Sequence, residues 1–247
     1  MMPIRDQVAL VTGAASGIGR AAALLLASQG ARIVAADRNL PQAQEVCAQI
    51  EREGGLAHAL EVDVGDPAQV KKLVDAAVQR FERIDALVHS AGICPRCPVL
   101  EMSDEAWHDV LRVNLDGTFY VARDVARVMM RQRAGTIILL TSDRGVHGSV
   151  DYAHYAAAKG GTIALVKSLA MSLGQYNVTV NGINPGMTDT PLGRAAVAGQ
   201  WEQKSRMDVL GGYSRPEEIA QIVLFLAETA GTFMTGQIVG TRMRHGA

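Results

Sequence analysis

A tyrosine and a lysine four residues apart have the spacing in this chain that most directly suggests chemistry. Tyr155 and Lys159 lie in the stretch DYAHYAAAK, and on a helix they are neighbours one turn apart, with Cβ atoms about 5 to 6 Å from each other. A phenol titrates at about 10, so it exchanges protons poorly at neutral pH unless a neighbour favours its anion. A lysine one turn away lowers the tyrosine pKa by charge interaction. We therefore expect Tyr155 to transfer a proton and Lys159 to act as its electrostatic partner.

Helix geometry separates that pair from the other polar side chains of the stretch. Tyr152 precedes Lys159 by seven residues, which is two turns or roughly 10 Å of helical rise. His154 points about 100° away from Tyr155 around the helix axis. We expect neither to share the proton of Tyr155, and we assign both to a pocket wall or a subunit contact.

A glycine-rich turn, TGAASGIG, is the second candidate site. Gly13, Gly17 and Gly19 follow an apolar run and open a segment with helical periodicity. Glycine lets the backbone approach a pyrophosphate closely, and a helix N-terminus supplies unpaired N–H groups and a positive dipole end. The turn predicts the phosphate site of a dinucleotide, and a glycine turn without a ligand is the alternative.

An acidic residue at the end of the second apolar run bears on which dinucleotide binds. Asp37 lies 18 residues past Gly19, where a carboxylate accepts both hydroxyls of an adenosine ribose. A 2′-phosphate there meets a like charge, which is costly in a partly dry site. Arg38 could accept a phosphate, but Ser16 supplies no second cation within the glycine turn. The pattern favours NAD over NADP.

The elements that must position these residues alternate along the chain. Short apolar runs without strict alternation are typical of strands covered on both faces, and segments of helical periodicity separate them. Such repeats imply a parallel sheet with right-handed crossovers and helices on both faces. We predict an α/β, Rossmann-type doubly wound sheet of about seven strands in one domain over residues 1–247. The predicted strands are 8–11, 32–36, 57–62, 86–89, 136–141, 178–183 and 237–239, and the predicted helices are 18–29, 41–53, 67–80, 104–132, 154–175 and 216–228.

Composition and charge narrow the class of protein and its partners. The chain has 247 residues, is 48% hydrophobic and carries a formal net charge of −1, so no global field attracts nucleic acid or an anionic membrane. No signal-like start and no apolar run of membrane-spanning length are evident, which favours a cytoplasmic enzyme with a small-molecule partner. The three cysteines give no disulfide framework. The CPRC spacing of Cys94 and Cys97 could mean a metal half-site or a redox pair, but without a second ligand pair we expect an ordinary loop and no metal.

The combination of TGAASGIG with YxxxK resembles the short-chain dehydrogenase/reductase family over essentially the whole chain. The resemblance implies that a proton passes through Tyr155 while hydride passes between a substrate carbon and nicotinamide, and that Lys159 also bonds the nicotinamide ribose. It assigns catalytic roles to Ser142, beside the substrate oxygen, and to Asn114, as the holder of a water that links Lys159 to solvent. The cofactor-binding residues that it implies or supports are Gly13, Ser16, Gly17, Ile18, Gly19, Asp37, Arg38, Asp63, Val64, Ser90, Ala91, Gly92, Tyr155, Lys159, Pro185, Gly186, Thr188 and Thr190.

Two segments depart from the family pattern. His89-Ser90 stands where Asn-Asn is common, which changes the polar groups that tie the fourth strand to the centre of the sheet, and the chain end lacks the usual acidic residue and double glycine.

Residues 187–212 are rich in glycine and polar residues, and we expect them to form a mobile substrate lid.

The substrate side of the site is suggested by three residues. Arg144, His147 and Met187 are the candidate substrate contacts, and Arg144 suggests a substrate with a carboxylate or another anionic group. The alternative is that Arg144 pairs with Asp143 or Asp151 at the surface.

We therefore predict an NAD(H)-dependent oxidoreductase that interconverts a secondary alcohol and a ketone, with Tyr155 as general acid and base. One alternative is a 3-oxoacyl-carrier-protein reductase that uses NADP, with the stripe of Arg123, Arg127 and Arg131 as the docking surface. A dinucleotide-binding sensor without turnover is the alternative of another class. The resemblance also implies a homo-oligomer, a dimer or a homotetramer.

Overall fold

Seven parallel strands form a single sheet in the order β3-β2-β1-β4-β5-β6-β7. The structure is a computed structural model and describes residues 4–197, 199, 202, 209–228 and 233–241. This sheet, flanked by helices, confirms the Rossmann-type fold expected from the sequence. The strands are β1 (Val8–Thr12), β2 (Arg32–Asp37), β3 (Leu56–Glu61), β4 (Ala86–His89), β5 (Gly135–Leu140), β6 (Val178–Asn184) and β7 (Ile238–Gly240).

Helices cover both faces of the sheet, which explains why the strands are apolar without alternation. Every residue of β1 is buried; Val8 and Leu10 belong to one core cluster, and Ala9 and Val11 to the other. Successive side chains of a strand point to opposite faces. Each face must therefore be packed by helices, so hydrophobic residues are needed at every position.

The helices form two layers, one on each face of the sheet. The helices are α1 (Gly17–Ser28), α2 (Leu40–Arg52), α3 (Pro67–Phe81), α4 (Asp104–Leu111), α5 (Gly117–Gln132), α6 (Arg144–His147), α7 (Ala153–Leu173), α8 (Pro191–Ala196) and α9 (Pro216–Ala227). One core contains the apolar sides of α1, α2 and α9, and the other contains those of α3, α5 and α7.

Local sequence signals set the helix starts. The Asp66 carboxylate accepts hydrogen bonds from the backbone N–H groups of Ala68 and Gln69, with Pro67 as the first helical residue. The Ser103 hydroxyl caps α4 through the N–H of Ala106. Such caps satisfy N–H groups that have no partner within the helix. The boundaries predicted from Asp66-Pro67 and Ser103 are therefore confirmed.

The long helix predicted over 104–132 is continuous but not regular. A π-helical turn spans Arg112–Asp116 and joins α4 to α5. Such turns hold one residue more than the α-helix and are frequent at functional sites. Asn114 lies in this turn and is fully buried, so the irregular turn carries one of the predicted catalytic residues.

The described residues contain no helix that is long and apolar enough to cross a membrane.

Candidate active site

A cavity of about 410 Å³ lies at the carboxyl ends of the strands. It sits where the strand order reverses, between β1 and β4, which is the usual ligand crevice of an open parallel sheet. The predicted residues that line it are Gly13, Ser16, Gly17, Ile18, Asp37, Arg38, Asp63, Val64, Ser90, Ala91, Gly92, Asn114, Ser142, Arg144, Tyr155, Lys159, Pro185, Gly186, Met187, Thr188 and Thr190. Gly19 and His147 are the predicted site residues that are not part of this lining.

The glycine turn is built for close approach of two chain segments. Gly13 has a φ of +68°, and a Cβ there would lie 2.8 Å from the backbone nitrogen of Ala91. Gly17 has a φ of +53°, and its Cβ would lie 3.0 Å from Cγ2 of Thr190. A Cβ on Gly19 would lie 2.2 Å from the carbonyl oxygen of Gly13. Gly19 therefore lets α1 pack closely against the turn, and its predicted part in binding the cofactor remains a prediction.

The N-terminus of α1 is open to an anion. Ser16 makes no side-chain cap and the first turn contains no acidic residue. The first N–H groups of a helix have no partner within the helix, and the helix dipole places positive potential there. A turn with glycine at positions 13 and 17, followed by a helix start without a side-chain cap, fits the pyrophosphate of a dinucleotide.

Asp37 ends β2 at the same edge of the cavity. Its carboxylate accepts hydrogen bonds from the N–H of Ala15 at 3.1 Å and from the N–H of Asn39 at 2.9 Å. These bonds fix a negative charge next to the glycine turn. The neighbouring Arg38 is exposed and also lines the cavity. The residues present therefore fit the adenosine half of a dinucleotide.

Asp63, Val64 and the segment after β4 continue the same wall. The Asp63 carboxylate accepts hydrogen bonds from Nη1 of Arg112 at 2.8 Å and from the N–H of Gly65 at 2.8 Å. A Cβ on Gly92 would lie 2.5 Å from Oδ1 of Asn114, so only glycine fits between the β4 loop and the π-helical turn.

Tyr155, Lys159 and Ser142 meet at the other end of the cavity. Tyr155 and Lys159 lie on α7, and the Lys159 ammonium is 5.7 Å from the centroid of the Tyr155 ring. Lys159 Nζ donates a hydrogen bond to the carbonyl of Leu140 at 2.7 Å, two residues before Ser142. The helix and the end of β5 thus hold a phenol, an ammonium and a hydroxyl around one space, as acid–base chemistry requires.

Burial is the largest cause of the pKa shifts of Tyr155 and Lys159. It raises the pKa of Tyr155 above the usual range of a phenol, against the lowering effects of the Arg144 charge and a hydrogen bond from Ser142. Burial also lowers the pKa of Lys159 to about 8. The expected lowering of the Tyr155 pKa is therefore wrong for this structure, because desolvation outweighs the nearby cations. Of the neighbouring groups that lower the pKa of Tyr155, the Arg144 charge has the largest effect.

Asn114 fixes the loop after β4. Its amide Nδ2 donates to the carbonyls of Ile93 at 2.9 Å and Val110 at 3.1 Å, and its Oδ1 accepts from the N–H of Ile93 at 3.1 Å. Its own carbonyl accepts from the hydroxyl of Thr118 at 2.7 Å. The side-chain amide is thus engaged by the protein, and the predicted role in holding a water remains a prediction.

His89, to which the sequence assigned no role in the site, is buried next to the site but is not part of the cavity lining. Its Nδ1 shares a hydrogen bond of 2.8 Å with the hydroxyl of Thr12, which ties β4 to β1. Its Nε2 is buried without a hydrogen-bond partner among the described residues. Burial, followed by the charge of Lys159, lowers the pKa of His89 to about 3. In the sequence, His89 stood out only because it replaces the common Asn-Asn pattern. That difference did not reveal a hydrogen bond to Thr12, which lies 77 residues earlier in the chain.

Asn184 and the loop after β6 close the site. Asn184 Oδ1 accepts from the N–H groups of Asp143 at 3.0 Å and Gly186 at 3.3 Å, so it links the β5 and β6 loops. Thr190 caps α8 by accepting from the N–H of Gly193 at 2.9 Å. Thr188 is buried and forms a bridge with Ser214. The sequence assigned no role to Asn184, although it directly precedes the predicted cofactor-binding residues Pro185 and Gly186.

The predicted lid and substrate residues are only partly brought to the cavity. Met187 and Arg144 line it. His147 is exposed on α6 outside the lining, so its position gives no support to a substrate contact. Of the predicted lid, 187–212, the structure describes residues 187–197, 199, 202 and 209–212, and the remainder lies outside the described residues.

Two predicted alternatives concern the contacts of Arg144 and of the CPRC cysteines. Asp151 accepts two hydrogen bonds from Arg96, at 2.9 and 2.7 Å, whereas the guanidinium of Arg144 forms no salt bridge with a carboxylate of the described residues. Cys94 and Cys97 are free thiols. No group of three or more potential metal ligands occurs in the described part of the chain.

Comparison with known proteins identifies relatives along nearly the whole chain. A family profile described as enoyl-(acyl carrier protein) reductase matches residues 13–241. The 3-oxoacyl-(acyl-carrier-protein) reductase FabG of Thermotoga maritima is 36% identical over 97% of each chain, and reductases of the same kind from other bacteria match at 35 to 38%. D-threitol dehydrogenase of Mycolicibacterium smegmatis is 37% identical over 93% of this chain and 89% of that protein. The crystal structure of gox2181 superposes with a TM-score of 0.92 at 30% identity, covering 97% of this chain and 96% of that one.

Proposed function

Because this chain belongs to the short-chain dehydrogenase/reductase family, whose members are oxidoreductases of CH–OH and keto groups that use NAD(P), we propose that it interconverts a secondary alcohol and a ketone with NAD(H). The observation that carries the proposal is a single cavity with Asp37 and the glycine turn at one end and Ser142, Tyr155 and Lys159 at the other. One end fits a dinucleotide, and the other fits proton transfer.

The residues at the chemical end divide the work of the reaction. A bound nicotinamide dinucleotide supplies the hydride acceptor or donor. In oxidation the Tyr155 oxygen takes the hydroxyl proton of the alcohol as the carbon loses hydride, and in reduction the Tyr155 hydroxyl returns a proton to the carbonyl oxygen. The Ser142 hydroxyl holds the substrate oxygen beside the phenol. Lys159 places a positive charge 5.7 Å from the centroid of the tyrosine ring, which favours the anion but does not outweigh the effect of burial.

The direction of the pKa shifts bears on which reaction is easier. The pKa of Tyr155 is raised by burial, so the phenol is protonated at neutral pH and ready to donate. Oxidation needs the anion as a proton acceptor. We therefore expect reduction to be favoured at neutral pH and oxidation to be faster in alkaline solution.

The choice of NAD rests on Asp37. Its carboxylate is fixed by two backbone N–H groups beside the glycine turn, and a 2′-phosphate there would be repelled. The exposed Arg38 is the neighbouring cation that could offset this repulsion. The relatives do not decide between the two dinucleotides.

A 3-oxoacyl-carrier-protein reductase is the second candidate, and the names of the relatives support it better than they support a free secondary alcohol. The predicted docking stripe gives it less support. Arg123 and Arg127 both pair with Asp124, at 2.9 and 3.0 Å, which reduces the net positive charge offered to an acidic partner.

The test is a substrate panel read by absorbance of the reduced nicotinamide. Secondary alcohols, hydroxy acids, polyols and 3-oxoacyl thioesters are each assayed with both dinucleotides, alongside Tyr155→Phe. We expect turnover in the parent and its loss in the variant, with NADH binding retained. A chain that binds NADH but turns over no compound of the panel, with or without Tyr155, would be a sensor rather than an enzyme.

Assembly and location remain proposals. Exposed apolar side chains on α5 and α7, Phe119 and Met171, support the expected homo-oligomer through these helices, and sedimentation gives its size. The cytoplasmic location expected from the sequence stays a prediction.

A further inference from the structure

We propose that Arg144 binds a carboxylate of the substrate, so that the preferred substrates are hydroxy acids and the matching oxo acids with a free carboxylate. This inference rests on the proposed function, because it takes Tyr155 as the group that exchanges the proton. It narrows the substrate from any secondary alcohol to an anionic one.

Arg144 occupies the part of the cavity where the substrate must lie. It is the first residue of α6, two positions after Ser142, and its side chain lines the cavity. The guanidinium carbon is 5.9 Å from the centroid of the Tyr155 ring. A ligand whose oxygen reaches Tyr155 and Ser142 is therefore within a few bonds of this cation.

The cation has no carboxylate partner in the described part of the chain. The nearby Asp151 is engaged by Arg96. Asp143 accepts from the backbone N–H of Arg144 at 2.9 Å and from the hydroxyl of Ser142 at 3.2 Å, but no salt bridge joins it to the guanidinium. A partly buried cation without a counter-ion is unfavourable. An anionic ligand would remove that cost.

The neutral partners of Arg144 hold it without satisfying its charge. Nη1 donates to Sγ of Cys94 at 3.3 Å, and the guanidinium carbon is 4.0 Å from the centroid of the Tyr152 ring. Burial raises the pKa of the Cys94 thiol above its usual range, so the sulfur carries no negative charge at neutral pH. The guanidinium therefore retains its positive charge and several N–H donors.

Tyr152 makes this arrangement rigid. Its side chain is 5% exposed, and its hydroxyl donates to the carbonyl of Ala196 at the end of α8. An arginine stacked on an aromatic ring keeps its in-plane N–H groups available for a planar carboxylate. Tyr152, which is not expected to share the proton of Tyr155, therefore supports the guanidinium of the anion site.

Asp143 is the observation against an anionic ligand. Its carboxylate lines the same cavity and raises the pKa of Tyr155. Its Oδ1 is engaged by Ser142 and by a backbone N–H, which offsets part of its charge. The competing role for Arg144 is to balance Asp143 and lower the pKa of Tyr155 for every substrate alike.

The kinetic test compares each acid with its own uncharged analogue. The 2-, 3- and 4-hydroxypentanoates, which move a secondary hydroxyl along one chain, are assayed beside their methyl esters in the parent, Arg144→Gln and Arg144→Lys. Arg131→Gln is the matched control, since it removes the same charge from an exposed residue of α5 outside the lining. We expect the acid-over-ester ratio of kcat/KM to fall about 10- to 150-fold in Arg144→Gln, as for loss of a charged hydrogen bond. Arg144→Lys should recover part of it, and Arg131→Gln should leave it unaltered.

A binding test reports on the same site without turnover. Butyrate and butyramide are titrated into the protein with NADH by calorimetry. The parent should bind butyrate more tightly, and Arg144→Gln should lose this preference. Equal binding of the two compounds by the parent overturns the inference even where no substrate has been found.

Two further outcomes separate this inference from the proposed function. If Arg144→Gln lowers kcat/KM equally for acids and esters and moves the pH profile upward, Arg144 acts through Tyr155 and the anion site is refuted, while the oxidoreductase stands. If no compound is turned over but butyrate binding depends on Arg144, the proposed function fails and the anion site stands.

Discussion

Removing the charge of Asp37 should change which dinucleotide the protein prefers. We consider Asp37→Asn, which keeps an oxygen that can accept from the N–H of Asn39. The parent should bind NADH more tightly than NADPH, and the variant should shift the ratio of the two affinities toward NADPH.

The size of the shift follows from the position of the carboxylate. Two unit charges about 4 Å apart near a protein surface interact by about 4 kcal/mol. Asp37 is only partly buried, so solvent and salt reduce this to about 1 to 3 kcal/mol. We therefore expect the NADPH-to-NADH affinity ratio to change by about 5- to 150-fold, and the change to shrink as salt is added.

The assay is a titration of nicotinamide fluorescence, with Glu61→Gln as the matched control. Glu61 ends β3 opposite Asp37 in the sheet register and lies outside the cavity lining, so its loss removes the same charge without touching the site. Adding Arg38→Gln to Asp37→Asn should weaken NADPH binding. A parent that binds NADPH as well as NADH, or a ratio that Asp37→Asn and Glu61→Gln change equally, refutes the reasoning.

Two other predictions concern stability, measured by urea unfolding. Gly19→Ala places a Cβ 2.2 Å from the carbonyl oxygen of Gly13, so it should lower the free energy of unfolding by about 1 to 3 kcal/mol and weaken NADH binding. In the control Gly174→Ala the new Cβ meets nothing within 4 Å, so the free energy of unfolding should not change. Equal losses of stability in the two variants would contradict this reasoning. His89 has its pKa lowered from 6.5 to about 3, so the unfolded chain binds the additional proton and the stability from this group falls as pH drops below 6.5. At pH 5 the free energy of unfolding should be about 2 kcal/mol lower than at pH 7 because of this group. His89→Asn should remove that part of the pH dependence. The smaller part that comes from His154, whose pKa is also lowered, should remain. An unchanged slope in His89→Asn would show that this imidazole is not the source.

The sequence was sufficient for features that depend on local periodicity and backbone conformation. The strand positions, the caps at Asp66 and Ser103, and the glycine turn follow from short-range patterns, and the structure confirms them. The fourfold spacing of Tyr155 and Lys159 placed them on one helix face, and both line the cavity.

Features that depend on burial or on distant contacts could not be predicted in this way. The spacing of Tyr155 and Lys159 gives their separation but not the desolvation that raises the tyrosine pKa. The bond between Thr12 and His89 joins two strands 77 residues apart. The freedom of Arg144 depends on Asp151 being taken by Arg96, and sequence spacing could not distinguish these two arginines.

The π-helical turn at Arg112–Asp116 constrains how the sequence can change by insertion and deletion. One additional residue rotates everything after it by about 100° around the helix axis. The turn thereby lets Asn114 reach the β4 loop while Val121 and Val125 still face the core. Deleting one residue here would restore a regular helix and turn either the amide or the apolar side away from its partner. Related chains should therefore tolerate substitutions in this helix more readily than any change in its length.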